Sequence, residues 1–109
     1  MRADRIYLQH ILDACNKIGS YVKIGKKQFL FESHWHDAVI RELEIIGEAA
    51  KHISDVTRKK HPNVPWRRIG GLRDVLIHDY MGVDLEAVWE ITQKNIPELQ
   101  SVVESILSS

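Results

Sequence analysis

The 109-residue chain has one cysteine, three prolines and no net charge, because 15 Lys and Arg balance 15 Asp and Glu. Each scarcity excludes something. Cys15 alone cannot form an internal disulfide or a CxxC metal site. Zero formal charge argues against a protein that wraps duplex DNA through its backbone, since such proteins are ordinarily basic. No apolar run approaches the roughly 18–20 residues that a bilayer span requires. Met1-Arg2-Ala3-Asp4-Arg5 leads into mixed polar sequence and not into the apolar core of a secretory signal. A cytoplasmic chain with no membrane partner is expected. There is no repeat, low-complexity tract, linker, Gly-rich phosphate loop or Gly-x-Ser-x-Gly elbow. What is present is 44% hydrophobic and 28% charged, the balance of a globular protein. The length suits one domain, residues 1–109, burying about 60–70% of its unfolded surface.

Apolar residues recur at helical and not strand spacing. A first helix is expected from Asp4 to Ile18, using Ile6, Leu8, Ile11, Leu12, Cys15 and Ile18. Gly19 and Gly25 bracket a looser segment carrying Lys23, Lys26 and Lys27. A second helix runs from His34 to Ile53 with Ser33 as its N-cap. Its residues Trp35, Val39, Leu43, Ile46, Ala50 and Ile53 form one continuous face. Ala38, Ile45 and Ala49 widen that stripe, which fits either a dimer surface or a fully internal core helix. Ser54 to Val64 is a connection with room for one helical turn. Pro65 suits the first position of a third helix, Trp66 to Met81, stopped by Gly82. Gly70-Gly71 inside it implies close packing or a bend. Asp84 caps a fourth helix whose phase survives Pro97, so a kink or two helices end to end is expected. The fold class is all-α, a four- or five-helix bundle with short connections.

Charge is unevenly placed. Val56 to Arg73 holds six basic residues (Arg58, Lys59, Lys60, Arg67, Arg68 and Arg73) and no acid, whereas Asp84 to Ser109 holds five acids and only Lys94. Such a strip fits a small anionic target or an RNA segment, or else a solvated surface. On the third helix, Asp74 and His78 are four apart and share a face. The carboxylate can fix the imidazole tautomer and favour its protonated form, which suits a general acid or base. The same pair also serves as a plain surface ion pair. Arg73 and His78 are five apart, about 140° around a regular helix, so one helix does not aim both at one phosphate. Either Arg73 reaches around, or the helix distorts near its end, or two copies share the site. Tyr80 is only about 20° from Arg73. His34 and His36 face opposite sides, and His10, His52 and His61 lack partners at ligand spacing, so no metal site is expected. Cys15 on an apolar face reads as core.

Arg73-Asp74-Val75-Leu76-Ile77-His78-Asp79-Tyr80 has the form Arg-x-x-x-x-His-x-Tyr and resembles the signature of HepT-like toxins of the HEPN superfamily. Ile45-Ile46-Gly47-Glu48-Ala49-Ala50, Pro65-Trp66 with Ile69-Gly70, and Tyr80-Met81-Gly82-Val83-Asp84 with Val88-Trp89 resemble its flanking segments. The likeness runs from about Arg5 to Leu99. It implies a HEPN-like antiparallel four- or five-helix bundle that forms a homodimer and acts as a metal-independent endoribonuclease toxin, without cofactor, on RNA such as tRNA or mRNA. The RNA 2′-hydroxyl would be the nucleophile and a cyclic phosphate the product. His78 would be the catalytic base or acid, and Arg73 would hold the scissile phosphate. Asp74 would orient His78, Tyr80 would help place substrate, and Arg58, Lys59, Lys60, Arg67 and Arg68 would guide RNA. The resemblance also implies a toxin-antitoxin pair of type VII, in which a MntA-like nucleotidyltransferase antitoxin transfers AMP onto Tyr80. Many relatives carry Asn where this chain has Asp74, and a carboxylate beside a phosphate site is unfavourable unless His78 is protonated. A non-catalytic HEPN subunit, binding nucleotide or substrate for a nucleotidyltransferase partner, is the main alternative. A structural helical adaptor is another.

Overall fold

In the computed structural model, residues 2–78 and 84–109 are described, with side chains for 3–72 and 84–109. Helical periodicity is realised throughout. The elements are α1 (Arg2–Tyr21), a 3₁₀ turn (Val22–Ile24), α2 (Lys26–Phe31), α3 (Ser33–Lys51), α4 (Asp55–Lys60), α5 (Trp66–His78), α6 (Leu85–Glu90), a π-helical turn (Ile91–Asn95) and α7 (Ile96–Ser108). The fold is an all-α bundle built on α1, α3, α5 and α7. No helix among the described residues is long and apolar enough to cross a membrane.

On α1, Leu8, Ile11, Cys15 and Ile18 are buried at spacings of three and four. Each large apolar side chain buried in this way contributes about 1.5–3 kcal/mol relative to exposure. Asp4 falls on the same stripe and is buried at its end. Ile6, counted above with the apolar face, is instead 54% exposed, because two residues rotate it about 200° from Leu8.

The bundle is antiparallel by its own hydrogen bonds. Asp4, at the start of α1, accepts from Ser54, just beyond the end of α3. The Arg5 guanidinium donates to the Leu107 carbonyl at the end of α7, 2.8 Å away. Further along, Gln100 of α7 donates to Asn16 of α1. The second turn of α5 lies against the last turn of α3, where a Cβ on Gly70 would sit 3.1 Å from Lys51 Cγ.

The wide stripe of α3 is used inside the chain. Val39, Leu43, Ile46 and Ala50 are almost wholly buried, Ile40 and Ala49 nearly so, and α3 is packed by α1 and by α5. It is therefore a core helix serving two neighbours, while Ala38 and Ile45 at the edge of the stripe stay half-buried. Its N-cap is Glu32, not Ser33. Glu32 is extended, its carbonyl accepts from the Trp35 amide, and its carboxylate accepts from Trp35 Nε1 at 3.0 Å.

Two short helices refine the expected connections. The looser segment after Gly19 holds the 3₁₀ turn and α2, which buries Phe29. Only Gly25 there needs a glycine conformation, with φ of 96°. The connection after Ser54 holds α4, whose N-cap Ser54 accepts from the Thr57 amide. Pro97 does break the last helix. Proline has no N–H for the preceding turn, and the chain answers with the π turn before α7, keeping Val88, Thr92, Ile96, Leu99 and Val103 buried. Asp84 caps α6 by accepting from the Ala87 amide. The exposed Lys26–Glu86 ion pair and the Phe29–Trp89 ring contact at 5.3 Å tie α6 to α2.

Candidate functional site: the α5 helix and its flanks

The helix that carries the Arg/His motif is fixed most firmly at its start. Val64 and Trp66 are buried, and Trp66 Nε1 donates to the His61 carbonyl at 3.0 Å. Pro65 lies one position earlier than expected, as the N-cap, with its carbonyl accepting from the Ile69 amide. This position suits proline for the same reason, since no intrahelical N–H is lost. Of the paired glycines, Gly70 is the one needed for packing. A Cβ there would press on the Lys51 stem, and Gly47 of α3 presents its carbonyl oxygen 3.9 Å away. Gly71 has open space around it. The pair introduces no break, because α5 is continuous from Trp66 to His78.

That continuity places the motif positions. Arg73, Asp74 and His78 all lie in the last two turns of α5. Positions 74 and 78 share one face. Positions 73 and 78 stand about 140° apart around the axis and about 7.5 Å apart along it. The expected distortion near the helix end is therefore not seen as far as His78. Tyr80, and the expected helix end at Met81 and Gly82, lie outside the described residues.

Beside α5 runs an apolar cleft that the sequence reading did not anticipate. It has a volume of about 470 Å³ and separates α5 from the π turn and the start of α7. Leu43 and Ile46 of α3 form its floor, Ile69 and Leu72 one wall, and Ile96 and Leu99 the other. Arg68 and Glu98 stand at its rim. Leu72 immediately precedes Arg73, so the cleft reaches the turn of α5 on which the motif begins. The only sequence signal for it is that Ile69 and Leu72 are three apart, and that spacing does not say which face α3 leaves uncovered.

The basic strip divides into two kinds of residue. Arg58 is half-buried, and its guanidinium caps the end of α3. Nε donates to the Ile53 carbonyl at 3.0 Å, while Nη2 donates to Ala50 at 3.0 Å and Lys51 at 3.4 Å. This satisfies carbonyls that a helix terminus leaves unpaired. Lys59 and Lys60 are exposed on α4, and Arg67 and Arg68 are exposed on the first turn of α5. Arg58, Arg67 and Arg68 together rim an open concavity with Pro62, Pro65 and Trp66 in its floor.

Three histidines make their contacts away from α5. His36 Nδ1 is 2.9 Å from the Phe29 carbonyl, and His52 stacks on Tyr7 at 4.7 Å and meets Glu48. His34 is exposed beside Glu32. Among the described residues, no three His, Cys, Asp or Glu are grouped to hold a metal ion. Cys15 is fully buried, and burial, with the Glu104 charge adding, pushes its thiol up to about 12. A thiol in that state is not a nucleophile at neutral pH.

The family described as Ribonuclease HepT-like matches residues 11–106. A protein of Caldanaerobacter subterraneus, provisionally named an RNase, is 44% identical over 108 residues, covering 98% of this chain and 96% of that protein. A Thermococcus cleftensis protein provisionally named ribonuclease HepT is 39% identical over 106 residues, 96% of each chain. A Methanocaldococcus jannaschii protein, also provisionally named an RNase, is 39% identical over 103 residues, 94% of each. No solved structure matches. The similarity takes in α5 and every element packed around it, and the chain belongs to the HepT-like ribonuclease family.

Proposed function

We propose that this protein is an endoribonuclease that cleaves RNA without a metal ion, at a site built from Arg73 and His78. The observation that carries the reading is the family match, which spans the whole of the helix bearing both residues. The chemistry follows from the side chains. His78 takes the proton of a ribose 2′-hydroxyl, and that oxygen attacks the adjacent phosphorus. The bond to the 5′ oxygen breaks, and that oxygen takes a proton from water. The products end in a 2′,3′-cyclic phosphate and a 5′-hydroxyl. Arg73 stabilises the charge that builds on the phosphoryl oxygens. Asp74, four residues before His78, orients the imidazole.

The active form in this reading is a homodimer in which two α5 helices line one groove. Two observations support it. Positions 73 and 78 diverge by about 140° on a continuous helix. An apolar cleft beside α5 reaches Leu72, the residue before Arg73, and is left uncovered by the described residues. In the same reading the protein is the toxin of a pair, and a MntA-like nucleotidyltransferase silences it by transferring AMP onto Tyr80. Added phosphate charge and bulk at an anion-binding groove would repel RNA.

Labelled total tRNA incubated in EDTA with the wild type and with His78→Ala tests the assignment. The wild type should cut and leave cyclic phosphate ends, and the variant should not. Equal cleavage by both removes His78 from the chemistry. No cleavage by wild type whose Tyr80 is unmodified by mass favours the non-catalytic subunit, a reading to which Asp74, a carboxylate beside the phosphate site, lends weight.

A further inference from the structure

We propose that the arginine-rimmed concavity at the junction of α4 and α5 is a second RNA-backbone subsite, which grips the strand several nucleotides away from the scissile bond. The inference rests on the ribonuclease reading above and adds a requirement for substrate length to it.

Charge and shape carry the argument. Three arginines, Arg58, Arg67 and Arg68, line one open concavity, and no carboxylate among the described residues lines it. The Arg67 and Arg68 side chains are exposed and make no hydrogen bond or ion pair with the described residues. Their guanidiniums remain available to phosphate, which arginine binds in a planar, bidentate fork. Arg58 adds positive field, but its contacts are given to the end of α3. The floor is stiff. Trp66 is buried and tied to the His61 carbonyl, and Pro62 and Pro65 flank it. Arginines on a backbone held in this way lose less freedom when they bind.

Distance then sets the spacing. Arg67 to His78 is eleven residues along α5, which is about 16 Å at 1.5 Å per residue and only about 20° around the axis, so the two positions share a face. A stacked strand advances about 3.4 Å per nucleotide, so the subsite lies roughly five nucleotides from the cleaved linkage. A strand lying along α5 would reach both places, whereas a di- or trinucleotide would reach only one.

The test measures binding of a 12-nucleotide and a 3-nucleotide single-stranded RNA to His78→Ala, with and without Arg67→Gln/Arg68→Gln, across a salt series. On a single strand each phosphate contact adds about 0.7 to the slope of log affinity against log salt, so losing two lowers the slope for the 12-mer by about 1.4. Between 50 and 200 mM salt this amounts to about a sevenfold smaller loss of affinity. The preference for the 12-mer over the 3-mer should shrink in the double variant. Arg67→Lys/Arg68→Lys should restore the slope, which separates charge from misfolding. An unchanged slope, equal weakening on both RNAs, or no RNA binding at low salt overturns the proposal. So does competition by polyglutamate as effective as that by RNA, which would make the concavity an acidic-protein site. Wild-type cleavage of the 12-mer is followed in parallel. Slope loss without cleavage upholds the subsite and refutes the nuclease reading, and cleavage with an unchanged slope refutes the subsite alone.

Discussion

Removing the Asp4 carboxylate should unlatch the start of α1 from the start of α4 and cost a large fraction of the protein's stability. Asp4 is 3% exposed. One oxygen accepts from the Ser54 amide at 3.0 Å, and the other accepts from the Ser54 and Thr57 hydroxyls, both at 2.6 Å. Burial pushes this carboxyl up, but the hydrogen bonds from Ser54 and Thr57 together outweigh it and hold it below the ordinary aspartate range. Hydrogen bonds to a charged group are worth about 1.5–3 kcal/mol each and do not add fully. Asp4→Ala is therefore expected to cost about 3 kcal/mol, and it strands the buried Thr57 hydroxyl as well. Against a typical total of about 5–15 kcal/mol this is severe, and it corresponds to a fall in Tm of about 12–20 °C. Asp4→Asn keeps one acceptor and turns an NH₂ toward donors, so it should lose nearly as much. The pH dependence has a definite sign. A depressed folded-state pKa gives stability that is present above the unfolded value, near 4, and is lost as pH falls through the folded value. Thermal melts by circular dichroism from pH 7 to pH 2 should show wild type and Asp4→Asn converging at the acid end. A Tm within 2 °C of wild type at pH 7, or parallel curves throughout, would refute the reasoning.

Arg58→Ala should destabilise the protein by about 2 kcal/mol in denaturant titration, because three carbonyls at the end of α3 lose a charged donor. Arg58→Lys should recover only part of this, since one ammonium cannot reproduce the fork. Cys15 should resist a thiol reagent at neutral pH and react only at the rate of unfolding, and rapid modification of the folded protein would contradict its burial. Gly70→Leu should push α5 away from Lys51 and Gly47, lowering stability by about 1–3 kcal/mol and RNA cleavage with it.

The parts of the fold that were legible in the sequence are those where one long face is repeated. The stripe of α3 from Val39 to Ala50 and that of α1 from Leu8 to Ile18 could be read directly, because spacings of three and four over several turns leave no competing pattern. Lys26–Phe31 is too short for such a pattern, with only Phe29 buried, and its helix was not foreseen. A stripe's width also does not say how many neighbours it serves. Only the packing of α1 and α5 on α3 shows that Ala49 is internal while Ala38 and Ile45 stay half-buried. Charge behaves in the same way. Arg58 and Arg67 look alike in an acid-free run, yet one caps a helix and the other faces solvent, a difference set by the α3–α4 turn. Asp4 reads as an ordinary first-turn acid until Ser54 and Thr57, fifty residues on, are brought to it. The motif itself was legible as a pattern, and its spacing already held the 140° divergence that the continuous α5 preserves.

That divergence gives the most direct test of the central claim, that Arg73 and His78 act together across two copies of α5. Arg73→Ala and His78→Ala homodimers, each inactive, are mixed by co-refolding and assayed for RNA cleavage in EDTA. A shared site predicts recovery. Half the dimers are mixed, each with one intact Arg73–His78 pair in trans, so activity should return to about a quarter of wild type. If the wild type cuts and the mixture stays as inactive as its components, the two residues work within one chain and the shared-groove account is wrong.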